Sequence, residues 1–232
     1  MLEDSRDWRP DIGLVRTLDH NTLCRAFQQL VKPGLMNRML DQVVLWAQQR
    51  RMIKGRVKPL AIDSSLFESR HVSRHFEKRC RETARKSRAK QLKIQTNLRR
   101  LRVVKRLPKL SLAVASSCHL ILSARATTGG GGDAKHFEPV LFDAWRRAEV
   151  RIVVADAGYD SESNHCIARQ DMGVRSIIPP NAGRPGKSPP TARHRRNMYH
   201  RFKRKADKKL YGQRWQVETV NSMIKRNLGS AL

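Results

Sequence analysis

Two short apolar runs, each followed at once by an aspartate, constrain the fold of this chain more than any other feature. Residues 60–62 precede Asp63, and residues 150–155 precede Asp156. Apolar runs of this length are typical of buried strands. The sequence therefore predicts two buried strands, each of which delivers a carboxylate at its C-terminal end.

Further segments predict the remaining elements of the main domain. A hairpin is predicted from "KLSLAVA" and "HLILSARAT", with a turn around residues 116–118, and a last strand from "VRSIIPP". Asp133 is expected to cap the helix that follows a Gly-rich connector, and Asp160 the helix that follows the second aspartate. A loop over residues 179–209 and a helix over residues 211–229 come last. This order predicts an α/β fold with a mixed sheet and helices on both faces.

The N-terminal residues 1–54 are predicted to form a separate small helical region. "HNTLCRAFQQL" follows cap-type residues, "KPG" ends it, and "LMNRMLDQVVLWAQQRRM" has the apolar spacing of a second helix. Two helices around a turn occur in DNA-binding motifs and, more often, in plain scaffolds, and both interpretations stay open. Residues 55–232 are predicted to form the main domain, with a basic insertion at about 68–106.

The formal net charge of +28 is concentrated in two tracts. Residues 70–109 contain 16 Lys or Arg against two Glu, and residues 184–209 contain 11 against one Asp. Segmental positive charge of this kind is expected of arms or loops that lie along phosphates. An anionic membrane surface is the rival partner, but neither tract comes with a lipid anchor or a strongly amphipathic basic helix. Nucleic acid is the predicted partner, with Arg193, Arg195 and Arg196 in contact with it.

The cysteines and the apolar segments indicate where the chain works. Cys24, Cys80, Cys118 and Cys166 are widely spaced, with no C-x-x-C pair, which fits a reducing cytoplasm and no zinc module. The N-terminus has no apolar run of a signal peptide. The most apolar stretch, "LSLAVASSCHLILSA", is far too short to span a bilayer. We expect a soluble cytoplasmic protein that does not bind membranes.

Four residues share one face of the helix predicted over residues 211–229. Tyr211, Arg214, Glu218 and Lys225 fall within a stripe of roughly 60° at 3.6 residues per turn. The apolar positions 217, 220, 224 and 228 make a separate stripe, so core packing does not require the polar row. One interpretation is a solvated face with an ion pair between Arg214 and Glu218. The other is a functional face.

The two aspartates suggest which function such a face could have. Loops at the C-terminal ends of strands commonly build binding sites, so Asp63 and Asp156 are expected close together. Each aspartate alone is more often a cap or turn residue. Crowded carboxylates repel one another, and a cluster persists where a divalent cation neutralises it. Glu218, on a helix packed across the strands, would complete a two-metal site.

Three segments carry a resemblance to a known family. "LAIDSS", "VVADAGYDSE" and "YGQRWQVETVNSMIKRNLGS" resemble the catalytic segments of the bacterial DDE transposases of the IS4/IS5 insertion-sequence group. The Tyr-x2-Arg-x3-Glu-x6-Lys pattern of that group is matched residue for residue by the polar helical stripe. The resemblance covers about residues 55–232 and implies an RNase H-like fold.

For the site, the resemblance implies that Asp63, Asp156 and Glu218 bind two Mg²⁺ ions, for which Mn²⁺ can substitute. It implies that the Tyr, Arg and Lys of the stripe contact DNA near the scissile end. The chain is then expected to cleave phosphodiester bonds at the ends of the element and to join the 3′ ends to target DNA. We expect a homodimer on DNA, associated with the nucleoid.

Members of the group usually have a longer N-terminal DNA-binding region and continue past the catalytic helix. The resemblance therefore predicts a truncated copy, with residues 1–54 as the remnant of a DNA-binding domain. Two alternatives to an active transposase stay open. One is a catalytically inactive remnant that only binds DNA, and the other is an RNase H-like nuclease that cleaves strands without joining them.

Overall fold

The computed structural model describes residues 19–30, 34–53, 56–67, 82, 108–127, 132–181 and 190–228. Their contacts divide the chain into two compact units, Met1–Val43 and Val44–Leu232. The basic insertion predicted at residues 68–106 lies outside the described residues except for Glu82. Residues 128–131 of the Gly-rich connector lie outside them as well.

Both N-terminal helices expected from the sequence are present, as α1 (His20–Leu30) and α2 (Leu35–Gln49). The carboxylate of Asp19 accepts hydrogen bonds from the backbone N–H and the hydroxyl of Thr22, both at 2.8 Å, and so caps the first turn of α1. Gly34, just before α2, has a φ of +94°, which glycine adopts without strain. The C-terminal part of α2 belongs to the second unit, in which Val44 and Ala47 are buried.

A mixed sheet forms the centre of the second unit, with five strands in the order β3-β2-β1-β4-β5. The strands are β1 (Leu60–Leu66), β2 (Lys109–Ala115), β3 (Leu120–Thr127), β4 (Ile152–Ala155) and β5 (Arg175–Ile177). The predicted hairpin is confirmed, since β2 pairs antiparallel with β3 and also with β1. The pairs β1–β4 and β4–β5 are parallel.

Helices cover both faces of this sheet, as predicted. They are α3 (Ala134–Arg147), α4 (Glu162–Cys166), α5 (Arg193–Arg201), α6 (Lys205–Gly212) and α7 (Trp215–Leu228). α3 packs against β1, β2 and β3, and α7 packs against β1 and β2. Ala61 of β1 is buried in a cluster with Met198 of α5 and Val217 of α7. Because strand side chains alternate, Asp63 lies on the same face as Ala61 and therefore toward α7.

No helix within the described ranges is long and apolar enough to cross a membrane.

The prediction of a loop over residues 179–209 is wrong, because α5 and part of α6 lie within this range. The basic composition leaves few apolar positions, yet Met198 is buried and Leu210 packs against the same cluster. The carboxylate of Glu162 accepts hydrogen bonds from the N–H groups of His194 (2.9 Å) and Arg195 (3.0 Å), which satisfies the first turn of α5. A cap supplied from 32 positions upstream leaves no local sequence signal.

The single helix predicted over residues 211–229 is two helices. α6 ends at Gly212 and α7 begins at Trp215. Between them, the N–H of Arg214 donates to the carbonyl of Tyr211 at 2.9 Å, and the N–H of Val217 donates to the carbonyl of Arg214 at 3.1 Å. Hydrogen bonds that span three residues wind the backbone as a 3₁₀ turn, in which side chains three apart eclipse. The junction therefore places the guanidinium of Arg214 5.8 Å from the centre of the Tyr211 ring.

The predicted caps differ in outcome. Asp133 stands at the N-cap of α3 but makes no side-chain capping bond, and its carboxylate lies 2.6 Å from Nζ of Lys109 instead. Asp160 does not cap α4. The hydroxyl of Ser161 accepts from the N–H of Asn164 at 3.1 Å and takes that role, because Asp160 is drawn into a buried ion pair described below.

Candidate active site

The two aspartates lie side by side where the parallel pairing of β1 and β4 ends. Ile62 pairs with Ala155 in that register, and Asp63 and Asp156 are the next residues. β4 ends there, whereas β1 continues beside β2 as far as Leu66. The prediction that the first strand ends at Asp63 is therefore wrong, because β2 supplies a partner that extends it. The expected proximity of the two carboxyl-bearing residues does follow from the register.

Three hydroxyl groups fasten the Asp156 turn to the sheet. The Asp156 carboxylate accepts a hydrogen bond of 2.9 Å from the N–H of Gly158, at the head of a 3₁₀ turn. The Tyr159 hydroxyl lies 2.6 Å from Oγ of Ser64, which in turn lies 2.7 Å from Oγ of Ser111. Burial raises the pKa of Tyr159 and outweighs the opposing effect of Ser64, so the phenol stays protonated. The turn is thereby held next to the first aspartate on β1.

Glu218, in the first turn of α7, shares the guanidinium of Arg214 with Asp63. One guanidinium nitrogen lies 2.6 Å from Oε1 of Glu218, and the other lies 3.8 Å from Oδ1 of Asp63. The Glu218 side chain is 51% exposed and the Asp63 side chain 18%. The ion pair expected of a solvated face is present. The same guanidinium, which precedes α7, also faces the strand carboxylate, so Arg214 and Glu218 are turned toward Asp63.

Negative charge converges on Asp63. Its pKa is raised from 3.8 to about 6, mainly by burial and further by the carboxylates of Asp156 and Glu218, against the opposing effect of the Arg214 guanidinium. One guanidinium therefore does not offset burial and two neighbouring carboxylates. Carboxylate oxygens are the ligands that Mg²⁺ prefers. The donor set and its uncompensated charge fit a divalent cation.

An open cleft of about 500 Å³ lies beside two of these acids. The residues that line it are Asp63, Ser65, Glu218, Asn221, Ser222, Lys225 and Arg226. Asp156 is not among them. Nζ of Lys225 lies 5.3 Å from the ring centre of Phe67. Because the lining joins carboxylates to two cations of α7, it can receive a phosphate next to a metal site.

The other residues predicted to contact DNA differ in exposure. The Tyr211 ring is partly buried, meets the Phe202 ring edge-on at a centroid distance of 5.2 Å and packs against the core cluster. Arg193 and Arg196 are exposed on α5. These two arginines remain suited to a phosphate backbone, whereas Tyr211 is held mainly by protein contacts.

Arg195, on the same helix, points into the protein. Its Nη2 and Nε lie 2.7 and 3.0 Å from one oxygen of Asp160, whose side chain is fully buried. Nε2 of His165, also fully buried, lies 3.4 Å from the other oxygen. Burial raises the pKa of Asp160, but the contacts with His165 and Arg195 outweigh it and lower the pKa to about 2. Arg195 therefore anchors α5 to the fold.

A second group of metal-ligand atoms belongs to the same anchor. Within the described residues, Glu162, Cys166 and His194 each place one such atom within 4.8 Å of the other two. Both oxygens of Glu162 already accept backbone N–H groups of α5. Burial and the guanidinium groups of Arg169 and Arg193 lower the pKa of His194. Those positive charges oppose a cation, so we interpret the group as a helix cap.

Sequence reasoning missed three residues that contact the site. Asn221 lies three positions after Glu218, a spacing that puts both on one helix face and is visible in the sequence. Ser64 and Tyr159 carry no such signal, because their contact joins residues 95 positions apart.

Comparison with known proteins identifies the domain that carries these acids. The family model of the transposase DDE domain matches residues 58–231. The chain belongs to this family. No curated protein and no solved structure matches the chain. The mixed sheet is thus the RNase H-like fold of an insertion-sequence DDE transposase, and the matched range of the transposase includes both aspartates and Glu218. Transposases act on DNA, and those of the DDE family generally use divalent metal ions.

Proposed function

We propose that this transposase cleaves phosphodiester bonds at the ends of an insertion sequence and joins the 3′ ends to target DNA, with Asp63, Asp156 and Glu218 as its metal ligands. The observation that carries the proposal is the placement of the acids: the strand register puts Asp63 beside Asp156, and one guanidinium contacts both Asp63 and Glu218. Acids from three elements that crowd one point are typical of a functional site. The Tyr-Arg-Glu-Lys pattern supports membership of the IS4/IS5 group.

The three acids come from elements that hold them in place. Asp63 and Asp156 follow paired residues of neighbouring strands, and Glu218 lies in the first turn of α7. Asp63, Asp156 and Glu218 would together hold two Mg²⁺ ions, for which Mn²⁺ would substitute. Two such ions, when bound, activate the attacking oxygen and neutralise charge on the phosphate and the leaving oxygen.

The cations and the tyrosine beside the acids orient the DNA. Arg214, held between Glu218 and Asp63, and Lys225, in the cleft lining, provide positive charge where the phosphate develops negative charge. Tyr211 supports the Arg214 guanidinium with its ring, and its hydroxyl is proposed to bond to the terminal nucleotides. These residues fix the scissile end relative to the carboxylates.

The two reactions use the same groups in turn. In cleavage, a water oxygen bonds to phosphorus, the bond from phosphorus to the 3′ oxygen breaks, and the proton lost by water is balanced by the proton that the 3′ oxygen gains. In joining, the freed 3′-OH loses its proton and bonds to a phosphorus of the target. The target 3′ oxygen then leaves and takes up a proton, so one phosphodiester replaces another and no external energy source is needed.

The test is a gel assay of cleavage, joining and binding on a duplex that carries one end of the element, with Mg²⁺. Glu218→Gln keeps the size of the side chain but removes the charge that a metal ion needs. We expect it to bind DNA as the wild type does and to cleave at least about 100-fold more slowly, since each 1.36 kcal/mol of lost transition-state stabilisation is about tenfold in rate. Chelation of Mg²⁺ should have the same effect.

Glu138→Gln is the matched control, because Glu138 is an exposed glutamate of α3, on the other face of the sheet. It should cleave at the wild-type rate. Wild-type activity in Glu218→Gln would show that Glu218 only forms an ion pair with Arg214 and does not bind a metal ion. Binding without cleavage by the wild type would favour an inactive remnant, and cleavage without joining would favour a nuclease.

Light scattering of the DNA complex tests the expected homodimer.

A further inference from the structure

Asn221 is a buried polar residue of the cleft that has no role in the proposed chemistry. It lies on α7, three residues after Glu218, and is only 6% exposed. Its Nδ2 lies 3.5 Å from Oδ2 of Asp63. Its Oδ1 is buried and has no hydrogen-bond partner within the described part of the chain.

The neighbouring carboxylate decides which way the Asn221 amide faces. An ionised carboxylate only accepts hydrogen bonds, so the NH₂ group must face Asp63 and Oδ1 must point away from it. A buried acceptor without a donor destabilises the folded state, and such a group calls for a role in the native structure. Asn221 lines the open cleft while its Oδ1 is covered, so a molecule bound there can supply the missing donor once the side chain or its cover shifts.

We propose that Asn221 is a positioning residue of the site: its Nδ2 fixes the carboxylate of Asp63, and its Oδ1 accepts a hydrogen bond from the hydroxyl group that attacks the phosphate. This inference rests on the proposed function. The donor is the attacking water in cleavage and the freed 3′-OH in joining, and both carry an O–H that Oδ1 accepts. The contact with Asp63 is long at 3.5 Å, and catalytic hydrogen bonds of this kind shorten when substrate binds.

The test uses Asn221→Leu, which keeps nearly the same volume and removes both polar atoms. Mutation of a hydrogen-bond partner of a metal ligand typically lowers metal affinity or activity by about 10- to 100-fold. We therefore expect the DNA-free variant to bind Mn²⁺ at least about tenfold more weakly, measured by calorimetry. The maximal rate of single-turnover cleavage should fall by a similar factor. The duplex concentration that gives half of this rate should not change. The melting temperature should not fall, because the buried acceptor without a partner is gone.

Thr219→Ala is the matched control on the same helix. The Thr219 hydroxyl donates to the carbonyl of Trp215 at 3.2 Å, and the residue is not part of the cleft lining. This variant should keep the wild-type Mn²⁺ affinity and cleavage rate. If leucine at position 221 prevents folding, Asn221→Ala takes its place with the same expectations for Mn²⁺ affinity and cleavage, and with a lower melting temperature because of the cavity that it leaves.

Wild-type Mn²⁺ affinity and cleavage in the Asn221 variant would overturn the inference. So would a loss of activity that is recovered in full at low temperature, since that indicates a structural role alone. A wild type that binds Mn²⁺ but does not cleave would contradict the proposed function. In that case the Mn²⁺ affinity of the variant still decides whether Asn221 fixes Asp63.

Discussion

At the scale of single residues, Asp63 destabilises the fold that carries it. Its pKa is about 6 in the folded chain, mainly because of burial, against 3.8 for the free residue. Between these pH values the folded state holds a proton that the unfolded state has lost. The contribution of this protonation to the free energy of unfolding is therefore complete below about pH 4, and it is lost as the pH rises through about 6. This cost at neutral pH is consistent with the proposed role of Asp63 as a metal ligand.

Asp63→Asn should stabilise the metal-free protein at neutral pH. Two pKa units correspond to at most about 3 kcal/mol, so we expect a gain of about 1–3 kcal/mol in the free energy of unfolding at about pH 7. Near pH 4 the gain should shrink, because the wild-type carboxyl is then protonated as well. Urea unfolding in the presence of a chelator measures both values. An equal gain at both pH values would show that the charge of Asp63 is not its source.

At the scale of elements, α5 is held by polar anchors more than by an apolar stripe. Met198 is its buried apolar residue, while Arg195 reaches a fully buried carboxylate of Asp160 and Glu162 caps its first turn. Breaking a buried ion pair is expensive, because the remaining charge loses its partner. α5 therefore depends on two residues of the segment that follows the second aspartate.

Arg195→Met should lower the free energy of unfolding by about 3–5 kcal/mol, since it leaves Asp160 buried without its guanidinium. Arg196→Met, one residue further on the exposed side of α5, should change it by less than about 0.5 kcal/mol. Chemical unfolding of the two variants gives the comparison. Equal effects would mean that the pair of Arg195 and Asp160 does not hold the helix.

Some helices and strands could be predicted from the sequence, and others could not. The strands beside Asp63 and Asp156 could be predicted because each contains an apolar run, although β1 extends beyond that run to Leu66, and the hairpin could be predicted because its turn is short. α5 could not, since its cap comes from Glu162, 32 positions upstream, and its composition resembles a phosphate-binding loop. The break between α6 and α7 follows from hydrogen bonds over three residues, which periodicity does not reveal.

The candidate site divides in the same way. Helical spacing correctly puts Glu218 and Lys225 on one face of α7, and Asn221 follows from that spacing once the helix face is known. The inward turn of Arg195 depends on a carboxylate 35 positions away, so its sequence context suggested DNA instead. Ser64 and Tyr159 meet only after the sheet has formed. Local patterns thus identify the acids, while tertiary contacts decide what surrounds them.

At the scale of the whole molecule, we expect DNA affinity and chemistry to be carried by different parts of the chain. The net charge of +28 comes mainly from two tracts, and the acids of the site add little to the attraction of a polyanion. Phosphate contacts release counterions and hold DNA without regard to base sequence. DNA affinity should therefore depend on salt whether or not the site is competent.

The double variant Arg193→Ala, Arg196→Ala should flatten the salt dependence of DNA binding. If both side chains contact phosphates, the slope of log K against log salt should become less steep by about 1.8. Lys135→Ala with Arg146→Ala is the matched control, because it removes two exposed cations of α3 on the other face of the sheet. Fluorescence anisotropy over a salt series measures both slopes. Equal slopes in the two variants would place the DNA elsewhere than on α5.

The unequal pairing of β1 determines which changes to the gene would move Asp63 away from Asp156. β1 pairs with β4 through three residues and with β2 through seven. One codon inserted before Asp63 would turn its carboxylate to the α3 face, because side chains alternate. Two inserted codons would restore the face but move the carboxylate about 6.6 Å past Asp156. If the proposed function holds, either product would keep the basic tracts and compete with an intact copy for DNA without cleaving it.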